Sequence, residues 1–186
     1  LDDGLQDKTL KYDVSIVCFN NINWIGNGMT FPSGPLRESL ENIKNYKHIF
    51  LNGNLENLEF LKREILSINS EINIYVGKYE ATNIDEFNKN NNYLVFSGIG
   101  NHKTFISMVK NYGLKIIKDL EFADHYQYSN KDINKIIDIA KNLDCKIITT
   151  EKDYLRLKDK DFKEIKYIKS NLKILNEDEF IKSIIK

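Results

Sequence analysis

Cysteine is scarce, with only Cys18 and Cys145 among 186 residues. Two cysteines make no disulfide framework, which favours a reducing, cytoplasmic setting. Each sits inside an apolar run (SIVCF and CKIIT), where a thiol is expected to pack as a small buried hydrophobe. Two prolines and nine glycines exclude collagen-like and proline-rich linker proteins. No apolar run approaches the ~20 residues a membrane-spanning helix needs, and no secretory signal pattern is visible. An excess of one charge is missing too. Twenty-seven Lys and Arg balance 27 Asp and Glu, so the chain lacks the long-range positive field that draws nucleic acid, although a local basic patch is compatible with the balance.

What is there suits a globular fold. Hydrophobic residues make up 41% and charged residues 29%, which argues against long disorder. The length fits one domain, or one domain with part of another. Short apolar runs alternate with amphipathic stretches. Strands are predicted at 12–19, 48–51, 72–79, 93–97, 114–122 and 145–149, with one or two more over 165–174. Helices are predicted at 36–45, 55–68, 104–112, 129–143, 151–158 and 177–185. Ser129 and Asp132 have the spacing of a capping box, and Gly113 marks a helix stop. Residues 20–34 read as a long loop of the kind that often carries function, and 83–92 as a polar connector. There is no internal repeat. This alternation predicts an α/β fold: a three-layer α/β/α sandwich around a parallel sheet. Ligands in such folds bind at the C-terminal ends of strands, so the residues just after each apolar run matter most.

Five clusters occupy such positions. The chain opens Leu1-Asp2-Asp3-Gly4 without Met, like the end of a buried strand whose body is missing, and a fragment or cleaved product is expected. Asp2 and Asp3 would suit a hard cation such as Mg²⁺; the same residues also make an ordinary turn. In PSGPLRE, Pro35 pre-sets a helix start and places Arg37 in a first turn, where a cation opposes the helix dipole unless an anion lies nearby; a surface pair with Glu38 or Glu41 is the equal alternative. Ser97-Gly98-Ile99-Gly100-Asn101 is a strand-to-helix glycine turn, favouring close packing over phosphate binding because position 103 is Lys. His125, with its acidic neighbour Asp124, directly follows a strand, where an imidazole is able to move protons near neutral pH. His48 and His102 read as surface or packing residues. Thr150 is placed to cap a helix with Asp153 closing a box, which leaves Lys152 calling for an anion or a buried acid.

In order, DDGLQ, PSGPLRE, FSGIGN, FADH and TTEKD resemble the tetraacyldisaccharide 4′-kinase family over nearly the whole chain. The resemblance implies a Rossmann-like P-loop kinase with two α/β domains joined by a β hinge. It implies use of ATP and Mg²⁺ to phosphorylate the 4′-hydroxyl of the lipid A disaccharide precursor, at the cytoplasmic face of the bacterial inner membrane. Membrane contact would lie in the missing N-terminal part, and nucleic acid is not an expected partner. Asp2 and Asp3 match the family's metal-binding acidic pair, and His125 its histidine, which pairs with an aspartate upstream; Asp124 stands beside it. Gln6, Arg37 and Lys152 are the expected nucleotide- or substrate-side contacts. Asp7, His102 and Tyr126 depart from the family pattern. No GxxxxGKS or GxxxxGKT is present, so residues 1–75 are expected to be the remnant of the P-loop domain and hinge, 93–186 the C-terminal α/β domain, and this piece alone inactive. Hinge strands are expected near 72–79 and 165–174. A metal-dependent phosphohydrolase built on Asp2, Asp3 and His125, or a Rossmann-like binding module without chemistry, are the rival readings.

Overall fold

The computed structural model describes residues 4–7, 9–157 and 162–185. The chain divides into two compact units, one made of Leu1–Lys78 with Lys173–Lys186, the other of Tyr79–Leu172.

The first unit is built on strands β1 (Ile16–Asn20), β2 (His48–Gly53) and β3 (Asn73–Ala81), with β8 (Ser170–Leu175) next to β3 in the sheet. β1 and β2 are parallel, as are β2 and β3. Alternation along β2 sets the layers. Ile49 and Leu51 point to one side, where they pack with Leu61 and Ile65 of helix α1 (Leu58–Ile68) and with Ile43 and Ile72. Phe50 points to the other, where its ring meets Phe180 of helix α5 (Glu177–Ile184) at 5.7 Å. Tyr75 meets the same ring at 4.9 Å.

The expected helix over 36–45 is shorter and tighter, a 3-10 segment at Leu40–Asn45. Leu36 cannot join it because its backbone is already used. Its N–H donates to the Met29 carbonyl (3.2 Å), and its carbonyl accepts from Phe31 N–H (2.8 Å). Leu36 is therefore an anchor of the preceding loop, and its side chain is buried. β1 likewise begins only at Ile16.

The second unit holds β4 (Asn92–Ser97), α2 (His102–Asn111), β5 (Lys115–Glu121), α3 (Asn130–Asn142), β6 (Lys146–Thr150), α4 (Glu151–Leu155) and β7 (Ile165–Ile168). The sheet order is β5-β4-β6-β7, and each neighbouring pair is parallel. Successive residues of β4 face opposite cores. Leu94 and Phe96 pack with Ile133, Ile136 and Ala140 of α3. Tyr93 and Val95 pack with Phe105, Met108 and Val109 of α2. Both faces are covered, which is why the central strands are continuously apolar. The fold class read from the sequence is the one found. The 165–174 segment resolves into β7 and β8, and the chain leaves the first unit within β3 and re-enters it within β8.

The capping box of α3 forms as its spacing predicts, with Ser129 Oγ accepting from Asp132 N and the Asp132 carboxylate accepting from Ser129 N. The cysteines correct the sequence reading: Cys18 is exposed and Cys145 half-buried. Alternation within β1 turns Cys18 outward, and Cys145, just ahead of β6, packs only at the margin of the α3-side core.

Candidate active site

From β4 the chain goes to β5 on one side and then, through α3, to β6 on the other, so the connections after β4 and β6 diverge. Such a switch point is where open α/β sheets form binding crevices. Three post-strand segments meet there, following β4, β5 and β6.

Their common anchor is Asp153, a carboxylate with no solvent exposure. One oxygen accepts from the backbone N–H of Gly98 (3.1 Å) and from the Thr150 hydroxyl (2.7 Å). The other accepts from the Tyr128 hydroxyl (3.3 Å) and from Nη1 of Arg156 (3.2 Å). A buried carboxylate is tolerable only with such compensation. Thr150 does cap α4, its hydroxyl accepting from Asp153 N at 3.0 Å. Asp153 departs from the expected box, because its side chain is drawn to Gly98, Tyr128 and Arg156. Burial, and then the Asp153 carboxylate, hold the Tyr128 phenol far above its ordinary ionisation range. Its ring is packed among Phe96, Phe122 and Tyr126 at 5.2–5.4 Å.

Gly98 is fixed on both sides of its residue. Its carbonyl accepts from His125 N–H (3.0 Å) and from Arg156 Nη1 (2.9 Å). A Cβ at Gly98 would lie 2.9 Å from the Tyr128 hydroxyl and 3.0 Å from Tyr126 Cβ, so the glycine permits close approach of the FADH segment. The GIGN turn is thus a packing turn, as its incomplete glycine pattern suggested.

His125 is held with a backbone φ of +60°, a left-handed conformation unusual for a side chain of this size. Its backbone N–H bonds Gly98 O and the Asp124 carboxylate (2.9 Å), and its imidazole is 69% exposed. An exposed, ionisable side chain on such a backbone makes His125 a candidate functional position. Nδ1 of the ring lies 3.2 Å from Nη2 of Arg156, and Nε2 lies 3.9 Å from Asp124. His102, by contrast, is buried. Its Nδ1 is 2.7 Å from Ser97 Oγ and its Nε2 3.5 Å from Asp119, so it pins the start of α2 to β4 and β5.

In the first unit, Gln6 and the GPLRE segment come together: Gln6 Nε2 donates to Glu38 at 3.3 Å, and Glu38 also accepts from Asn42 at 2.8 Å. Arg37 is exposed and precedes the 3-10 segment. The first-turn argument for it therefore does not apply. Asp2 and Asp3 lie outside the described residues. Among the described residues, no group of three or more His, Cys, Asp or Glu side chains is arranged to hold a metal ion. Lys152 is exposed on α4, and the cation that answers the buried acid is Arg156, three residues further along. Sequence reasoning missed Arg156, and its one signal was the i, i+3 spacing from Asp153. It also missed an asparagine cluster at the ends of β1 and β2, where Asn21 bonds the backbone N–H of Asn54 (2.9 Å) and Asn20 reaches Asn52 (3.5 Å).

A groove of about 800 Å³ lies at the other end of the second sheet, by the starts of β4, β6 and β7, with Tyr93, Lys141, Cys145, Lys146 and Lys166 in its lining. None of the residues of the Asp153 cluster lines it. Among the described residues, no helix is long and apolar enough to cross a membrane.

The model of the tetraacyldisaccharide-1-P 4′-kinase family matches residues 1–186. A tetraacyldisaccharide 4′-kinase of Pelagibacter ubique is 60% identical over 185 residues, covering 100% of this chain and 59% of that protein. One from Rickettsia bellii is 36% identical over 160 residues, covering 86% of this chain and 48% of that protein. The chain thus spans roughly half to three-fifths of the length of these relatives. Among solved structures, an LpxK of Aquifex aeolicus in complex with ATP superimposes with a TM-score of 0.58 at 22% identity, covering 100% of this chain and 56% of that one, which supports the fold. With a match running from the first residue to the last and the five motifs in their order, this chain belongs to the tetraacyldisaccharide-1-P 4′-kinase family.

Proposed function

We propose that the chain forms part of an ATP-dependent lipid kinase that phosphorylates the 4′-hydroxyl of the tetraacyldisaccharide 1-phosphate precursor of lipid A. The observation that carries this reading is the strained, exposed His125, set at a sheet switch point in a chain the family matches throughout. Phosphoryl transfer asks chiefly for positioning and charge neutralisation. His125 presents an imidazole at the end of a rigid loop, where it orients and tunes the group that takes the hydroxyl proton. Asp124 serves through its bond to His125 N–H, which shapes that loop. Gln6, Arg37 and Lys152 supply polar and cationic contacts for nucleotide and substrate. Asp2 and Asp3 would hold Mg²⁺, which when bound offsets the charge on the phosphates. The whole enzyme would then work at the cytoplasmic side of the inner membrane.

The test uses the full-length gene product, ATP, Mg²⁺ and the disaccharide lipid. His125→Ala is expected to lower kcat by about a hundredfold or more, with ATP affinity nearly unchanged. Equal loss of both, or an enzyme indifferent to the change, would count against the assignment. The 186-residue chain by itself is expected to give no turnover.

A further inference from the structure

The Asp153–Arg156 pair has no role in the reading above, yet it ends on the imidazole. We propose that Arg156 is the positioning residue for His125: anchored by Asp153 and by the Gly98 carbonyl, its guanidinium fixes the ring so that Nδ1 is the acceptor and Nε2 carries the proton. The inference deepens the kinase reading and rests on it for the catalytic consequence.

The argument is one of donor and acceptor inventory. A guanidinium has five N–H donors, no acceptor, and stays protonated. Nη2 stands 3.2 Å from Nδ1, so Nδ1 must offer its lone pair. The proton of the neutral ring is then on Nε2, the nitrogen 3.9 Å from Asp124. Which nitrogen is protonated is decided by the partner of the other one. Arg156 itself has little freedom. Nη1 is shared by Gly98 O at 2.9 Å and Asp153 at 3.2 Å, its side chain is only 14% exposed, and Asp153 is fully buried. The His125 backbone is fixed independently through Gly98. Among the described residues, the charged and titratable groups seen at the ring are Arg156 and Asp124, with Asp153 and the un-ionised Tyr128 behind Arg156. A lysine at this position keeps a cation for Asp153 but lacks the fork that serves Gly98 O, Asp153 and the ring at once.

Two measurements test this. In the full-length enzyme, Arg156→Met is expected to lower kcat by about tenfold to a hundredfold while leaving the KM for ATP nearly unchanged. In an His125→Ala background, the same change is expected to have almost no effect, because an orienting residue has nothing left to orient. A loss of equal size in both backgrounds would show a merely structural role and overturn the inference. The second measurement is independent of activity. Long-range ¹H–¹⁵N spectra of the 186-residue chain report the tautomer of His125. The expected pattern is a non-protonated Nδ1 and a protonated Nε2, giving way to a mixture in Arg156→Lys, the variant chosen because it keeps the charge beside Asp153. A proton on Nδ1 in the parent chain, or an unchanged pattern in a folded Arg156→Lys, would overturn it. A full-length product without kinase activity but with the expected spectra would sink the kinase reading and leave the placement of the ring by Arg156 standing.

Discussion

The substitution Asp153→Asn is nearly isosteric, yet it is expected to be among the most damaging single changes in the second unit. The carboxylate accepts four hydrogen bonds on two oxygens, with Tyr128 and Arg156 on one side and Gly98 N–H and Thr150 on the other. An amide has only one acceptor oxygen. It will turn that oxygen toward Arg156, since an NH₂ group facing a guanidinium is the worse arrangement. The NH₂ then faces Gly98 and Thr150. Thr150 is able to rotate its hydroxyl and accept, but the Gly98 N–H has no such freedom and is left unsatisfied. That orphan is worth about 1–3 kcal/mol. The lost charge on the partner of Arg156 adds a similar amount, bounded by the ~3–5 kcal/mol seen when a buried ion pair is broken. A total of about 3 kcal/mol follows, or roughly 10 °C in Tm for a chain of this size. Urea unfolding at neutral pH, followed by circular dichroism, measures it: the midpoint should fall with the slope unchanged. A loss below about 1 kcal/mol would show that the four contacts do not act as drawn, and would refute the role assigned to this carboxylate.

Other expectations are simpler. Tyr128 has a raised ionisation range in the fold, so below the ordinary phenol value of 10.0 its contribution to stability is fully present, whereas above it the unfolded chain loses the proton while the folded one keeps it. Stability should therefore fall as pH rises past that value, and Tyr128→Phe should flatten the fall; an unchanged slope would contradict the burial argument. His125→Gly relieves a left-handed backbone worth about 1–2 kcal/mol, so thermal unfolding should show no net destabilisation even though kinase activity in the full-length protein is lost. Ser129→Ala removes the α3 cap and should reduce stability by about 1 kcal/mol, read from the same urea transition.

The layers and most elements were legible because they rest on hydrophobic pattern: the unbroken apolar run Leu94, Val95 and Phe96 marks a strand covered on both faces, and the Ile133, Ile136 and Ile137 stripe marks the buried face of α3. Ser129 and Asp132 were legible because a capping box is local. The failures at the Asp153 cluster were long-range. Nothing near Asp153 in sequence says that its carboxylate will reach Gly98, 55 residues away, as well as the Thr150 hydroxyl at its own helix start. Arg156 was hidden for the same reason, since its value comes from touching His125 across 31 residues. The helix expected at Leu36 failed through competition: its peptide groups were already paired with Met29 and Phe31. Lys152 stood out in the motif but lies on the outer side of α4, where a cation needs no partner.

The staple around Asp153 draws every member from between Ser97 and Arg156, well inside the unbroken stretch Tyr79–Leu172. The other compact body is spliced together from two distant pieces of chain. Genetic dissection is therefore asymmetric: a single cut before β4 and another after β7 would release the lobe that bears the imidazole with its supports intact, whereas the partner lobe can be isolated only by joining ends that are not neighbours in the gene.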